Sequence, residues 1–114
     1  MTIKEIAYEV ANTLSEKKAR DIKLISIAEK SGFADYFINV TASSSRQVGA
    51  LADIAEDKLA ELGILAKNKD GRPEGGWILI DAGDIIVNVF SSEARERYSL
   101  DKLWGDCETT TIEE

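Results

Sequence analysis

The stretch from Trp77 to Phe90 restricts this chain more than any other. Trp77-Ile78-Leu79-Ile80-Asp81 and Ile85-Ile86-Val87-Asn88-Val89-Phe90 are two runs of β-branched, aliphatic and aromatic residues, and Ala82-Gly83 between them marks a reversal. The pair predicts a β-hairpin. Successive side chains of a strand point to opposite faces, so Ile78 and Ile80 share one face, as do Ile85, Val87 and Val89. Strands with so aliphatic a face are stable only when another layer covers it. The face that remains carries Trp77, Leu79, Asp81, Ile86, Asn88 and Phe90.

Other segments supply the cover. Ile3, Ile6, Val10 and Leu14 recur at helical spacing, Thr2 and Glu5 form a capping-box pattern, and the run Glu16-Lys17-Lys18 ends the helix. Asp21 to Ile27 alternates as a strand, Ser31 to Ala34 connects, and Tyr36 to Thr41 is a second, buried strand. Ser43-Ser44-Ser45 caps a second helix whose apolar face is Val48, Leu51, Ala52, Ala55, Leu59 and Leu62, closed by Gly63. Ile64-Leu65-Ala66 reads as a short edge strand, and Asn68 to Gly76 as a polar loop. A last helix starts at Ser91-Ser92-Glu93, with Leu100, Leu103 and Trp104 as its late apolar contacts and Trp104 as its anchor. The expected fold is α/β in the broad α+β sense: one domain over residues 1–106, a mixed β-sheet of about five strands with flanking helices, and an acidic, disordered tail at 107–114.

Composition removes several functions. With no histidine, Ser-His-Asp and Cys-His catalysis and imidazole metal sites are excluded, and the single Cys107 forms no intrachain disulfide. No apolar stretch approaches 18 residues and the start lacks a secretory pattern, so neither a membrane span nor a signal peptide is expected, and the expected compartment is the cytoplasm. Fourteen basic against 21 acidic residues give a net charge of −7. Such a chain is not expected to bind free nucleic acid, whereas a basic protein partner suits it.

Four features could carry chemistry. Asp81 and Asp84 flank the hairpin turn and could hold Mg²⁺, although aspartates at turns ordinarily bond backbone amides. Ser43-Ser44-Ser45-Arg46 at a helix start could bind an anion, or simply cap the helix. Asp53, Asp57 and Glu61, with Glu56 nearby, form an acidic helix stripe that ordinary solvation also explains. The face of Trp77, Leu79, Asp81, Ile86, Asn88 and Phe90 mixes large apolar with polar groups, as partner-binding surfaces do. Equally, the C-terminal helix could cover it through Tyr98 and Trp104. Cys107, among acids, is expected to be inert.

Asp35-Tyr36-Phe37-Ile38, then Ser43 to Val48, Trp77 to Phe90, Glu93 to Tyr98 and Leu100 to Trp104, in that order, resemble the ribosomal silencing factor (RsfS, or Iojap) family. The likeness runs from about residue 3 to residue 106. It implies a nucleotidyltransferase-like core and a translational repressor, often a homodimer. Such a protein binds the large ribosomal subunit at its fourteenth-numbered protein and blocks joining of the small subunit under nutrient limitation. Two positions depart from the family pattern: Ala42 stands for its usual glycine and Asn88 for its usual histidine. The expected contacts with the ribosomal protein are Trp77, Leu79, Asp81, Asn88, Phe90 and Tyr98, with no catalytic, cofactor or metal residues. The alternative is a nucleotidyl- or phosphoryl-transfer enzyme using Asp81 and Asp84 with Mg²⁺. It lacks a phosphate-cradling loop and a glycine at the helix start.

Overall fold

The hairpin lies near the middle of a mixed sheet. This is seen in a computed structural model that describes residues 1–29, 32, 34–98, 100–103 and 105–112. The elements run α1 (Ile3–Glu16), β1 (Arg20–Ser26), β2 (Tyr36–Ala42), α2 (Ser45–Glu61), β3 (Asn68–Arg72), β4 (Trp77–Asp81), β5 (Ile85–Ser91), α3 (Ser92–Tyr98), α4 (Leu100–Leu103) and β6 (Thr109–Ile112). The sheet has six strands in the order β3-β4-β5-β2-β1-β6. Among the described residues only the β2–β5 pair is parallel, and the other four pairings are antiparallel. No helix among the described residues is long and apolar enough to cross a membrane.

The helices begin and end where their local chemistry says they should. Thr2 Oγ1 accepts from the Glu5 amide and Glu5 Oε1 from the Thr2 amide, at 3.1 and 2.8 Å. Two amides that the helix itself cannot satisfy are thereby paired. The Thr2 amide also holds the Glu5 carboxyl below its ordinary pKa. Ser44 caps α2 by accepting from the Gln47 amide. At its other end Gly63 turns left-handed, at φ +93°, so that the Gly63 and Ile64 amides reach back to the Ala60 and Leu59 carbonyls.

Helices α1 and α2 cover one face of the sheet. Ile78, Ile80, Ile85, Val87 and Val89 join Ile22, Leu24, Ile38 and Val40 against Val10, Leu14, Val48, Leu51 and Leu59 in one continuous core. Every residue expected on the aliphatic face of the hairpin is there. A second, smaller cluster of Ile25, Ile27, Ala34, Phe37 and Ile86 lies on the other face, with Leu79 and Cys107 packed against it.

Three expectations need correction. The polar stretch from Asn68 is no loop: β3 pairs with β4 along the sheet edge, fully exposed, while Ile64-Leu65-Ala66 forms no strand. An edge strand with no layer over it needs no apolar face, so its sequence carries no alternation. Gly71 permits the close pairing, because a Cβ there would stand 2.1 Å from the Trp77 carbonyl oxygen. The tail is the second case. Thr109–Ile112 is a sixth strand on β1, and the Tyr8 hydroxyl bonds Thr110 Oγ1 at 3.2 Å. Four consecutive β-branched residues favour a strand despite their acidic neighbours. The expected last helix is described over Ser92–Tyr98 and Leu100–Leu103, with Ser99 outside the described residues. Third, Leu103, expected among the late apolar contacts of that helix, is 68% exposed. Trp104, like part of the Ser31 to Ala34 connection and the tail residues Glu113 and Glu114, lies outside the described residues.

Candidate docking surface

The face of the sheet away from α1 and α2 is built from strand register. Trp77 stands opposite Phe90, Leu79 opposite Asn88, and Asp81 opposite Ile86. Helix α3 follows directly from β5 and brings Tyr98 to Trp77, with ring centroids 4.6 Å apart. Phe90 lies behind Trp77 at 5.2 Å. Tilted contacts at these distances suit the quadrupoles of the rings.

The six expected contact residues therefore fall into two layers. Trp77, Leu79 and Asp81 are half-buried and Tyr98 is exposed, so these four reach the surface. Asn88 and Phe90 are buried, 0% and 1% exposed, because the larger indole of the neighbouring strand lies across them. The alternative in which a C-terminal helix covers this face is realised in part: Tyr98 packs on Trp77, and Ala94 of α3 is buried.

Asn88 is tied on both sides. Its Oδ1 accepts the Trp77 Nε1–H at 3.0 Å, and its Nδ2 donates to Asn39 Oδ1 at 3.0 Å. Asn39, also 0% exposed, was not singled out from the sequence. It is the lone amide in an apolar strand, as Asn88 is, and the parallel pairing of β2 with β5 brings the two level. That pairing joins distant segments and leaves no local trace. An amide buried without partners is costly, so the relay is what makes two interior asparagines tolerable.

The remaining candidates resolve into structure. Asp81 Oδ1 accepts the Gly83 amide at 2.9 Å, and the Asp84 carbonyl accepts the amides of Asp35 and Tyr36. Ser43 donates through its amide and hydroxyl to Gln47 Oε1, which with Ser44 completes the helix cap. Beside it, a cleft of about 450 Å³ opens at the carboxyl ends of β2 and β5, edged by Ser43, Glu74, Ser91, Glu93 and Arg97. In the acidic stripe, Lys69 of β3 reaches over to Asp53 at 2.7 Å and Glu56 at 3.4 Å, and Lys58 meets Glu61 at 3.4 Å. The hydrogen bond that Lys69 donates to Asp53 leads the causes that raise the Lys69 pKa above its ordinary value. Cys107 is half-buried against the smaller cluster and acts there as a packing residue.

Comparison with known proteins adds a family. The family model described as "Ribosomal silencing factor during starvation", RsfS, matches residues 1–114. A ribosomal silencing factor of Bacillus subtilis is 39% identical over 106 residues, covering 93% of this chain and 90% of that protein. One of Halalkalibacterium halodurans is 34% identical over 113 residues, with 99% and 97% covered. Among solved structures, a Chromobacterium violaceum protein superposes with a TM-score of 0.87 at 32% identity, covering all of this chain and 95% of that one.

Proposed function

This chain belongs to the RsfS family of ribosomal silencing factors, and we propose that it represses translation by binding the large ribosomal subunit through its fourteenth-numbered protein and blocking the small subunit from joining. Translational silencing is the activity the family name carries; the contact and the steric step extend it.

One observation carries the assignment of the contact. Trp77 and Tyr98 pack in a tilted pair at 4.6 Å on a sheet face that α1 and α2 leave open, with Leu79 and Asp81 beside them. Paired aromatic side chains with a polar border are the usual energetic anchors of protein interfaces. The net charge of −7 favours a basic partner and speeds its approach. A body 31 × 31 × 27 Å, docked where the subunits meet, keeps them apart by excluded volume. No catalytic step, metal or cofactor is required, and the enzyme alternative has no support in a turn where Asp81 is engaged by a backbone amide. The protein acts in the cytoplasm, binds no free nucleic acid, and can self-associate as a homodimer.

Sedimentation of the tagged protein with separated subunits tests this. Co-migration with the large subunit alone is the expected result, together with fewer joined ribosomes when the protein is added before mixing. Binding to the small subunit, or subunit joining that proceeds unchanged at saturating protein, overturns it.

A further inference from the structure

The Trp77 indole has one polar hydrogen, and the fold uses it internally. Nε1–H donates to Asn88 Oδ1 at 3.0 Å, and Asn88 in turn donates to Asn39 Oδ1 at 3.0 Å. Indole can only donate, so it fixes which way both amides point: each presents its oxygen toward the tryptophan side and its nitrogen away. The chain spans three adjacent strands, β4, β5 and β2, with Leu79 level with Asn88 and Asn88 level with Asn39. Both amides are 0% exposed, and Trp77 alone of the three reaches solvent. Phe90 and Tyr98 pack on the ring at centroid distances of 5.2 and 4.6 Å, and the hydrogen bond adds a directional tie at Nε1.

We propose that Asn88, backed by Asn39, is a positioning residue of the docking surface: it locks the Trp77 indole with its N–H turned into the sheet, so that a partner meets ring carbon and π surface rather than a polar hydrogen. This deepens the docking role given to Trp77 and rests on it. Ordering the ring before contact spares the cost of ordering it during contact. It also sets a specificity: a partner that offers a hydrogen-bond acceptor to the indole finds its donor already taken.

The test combines a spectroscopic signature with a binding cycle. In nitrogen-15 spectra the Trp77 indole N–H, assigned by its disappearance in Trp77→Phe, is expected to exchange slowly with solvent. In Asn88→Leu it exchanges fast, and affinity for large subunits falls about tenfold, the scale on which coupled neighbours act. Asn88→His, with one ring acceptor and one ring donor, restores both. In a Trp77→Phe background, Asn88→Leu has no further effect on affinity. Should Asn88→Leu fail to fold, Asn39→Thr is read the same way, with faster exchange and a smaller loss of affinity. Normal affinity in a variant whose indole exchanges fast refutes the positioning role, as does an equal loss of affinity in the Trp77→Phe background. Trp77→Ala separates the two ideas: if it binds normally, the docking surface itself is misplaced, whereas if it fails to bind and Asn88→Leu binds normally, only the positioning role falls.

Discussion

The two faces of the sheet solve opposite problems. Under α1 and α2 the hairpin presents only Ile78, Ile80, Ile85, Val87 and Val89, side chains with no polar atom to satisfy and few rotamers to lose. On the other face the same two strands carry an indole, an amide, a carboxylate and a phenyl ring, and the neighbouring β2 adds a second amide. Had stability been the sole demand, two interior asparagines would be a poor choice, since hydrophobic residues need no partners. What they supply is direction. The contrast teaches that the aliphatic face holds the domain together while the mixed face aims one large side chain outward.

Substitutions on each face should break or sharpen that division. The largest effect is expected from Ile80→Ala, which empties space in a fully buried site. It should cost about 2–5 kcal/mol of stability, seen as a lower denaturant midpoint. At temperatures where the variant stays folded, large-subunit binding should be unchanged; weakened binding there would show that the faces are not separable. Next comes Trp77→Ala on the other face, expected to weaken binding by about 2 kcal/mol, roughly thirtyfold, with circular dichroism unchanged. Deleting residues 109–114 should lower stability by about 1–2 kcal/mol through lost strand hydrogen bonds; an unchanged melting temperature would mean that β6 contributes only a cover for β1. The smallest effect belongs to the Lys69–Asp53 pair at the exposed edge. Asp53→Asn should cost about 0.2–1 kcal/mol and less in high salt. Because the Lys69 pKa is raised in the folded state, this contribution is complete below the ordinary lysine value of 10.5 and is lost as the pH climbs through the raised one. The difference between variant and parent should therefore close in strong alkali.

Local signals carried the sequence reading a long way. The capping box at Thr2 and Glu5, the glycine end of α2 and the hairpin from Trp77 to Phe90 depend on neighbours a few residues apart, and each stands where its pattern pointed. Strand β3 was hidden because it is defined by pairing rather than by composition: Asn68-Lys69-Asp70-Gly71-Arg72 reads as a loop until β4 is placed beside it. Strand β6 is masked by charge, since Asp106, Glu108, Glu113 and Glu114 around the threonines give the segment the composition of a solvated tail. Of the candidate surface, Trp77, Leu79, Asp81 and Tyr98 were legible from alternation and from the family pattern. The depth of Asn88 and Phe90 was not, because it depends on the size of the ring laid over them, and Asn39 entered only with the parallel register of β2 and β5.

The docking of β6 on β1 has a consequence in time. Lys23 and Thr111 touch across 88 residues of chain, so the outer hydrogen-bonding edge of β1 stays open until synthesis has passed β6. Contacts this distant form late and slowly, and an open strand edge is a site for mispairing or for a chaperone in the interval. A member of a ribosomal silencing factor family is thus itself unfinished, along one border of its sheet, until residues 109–112 have left the ribosome that makes it.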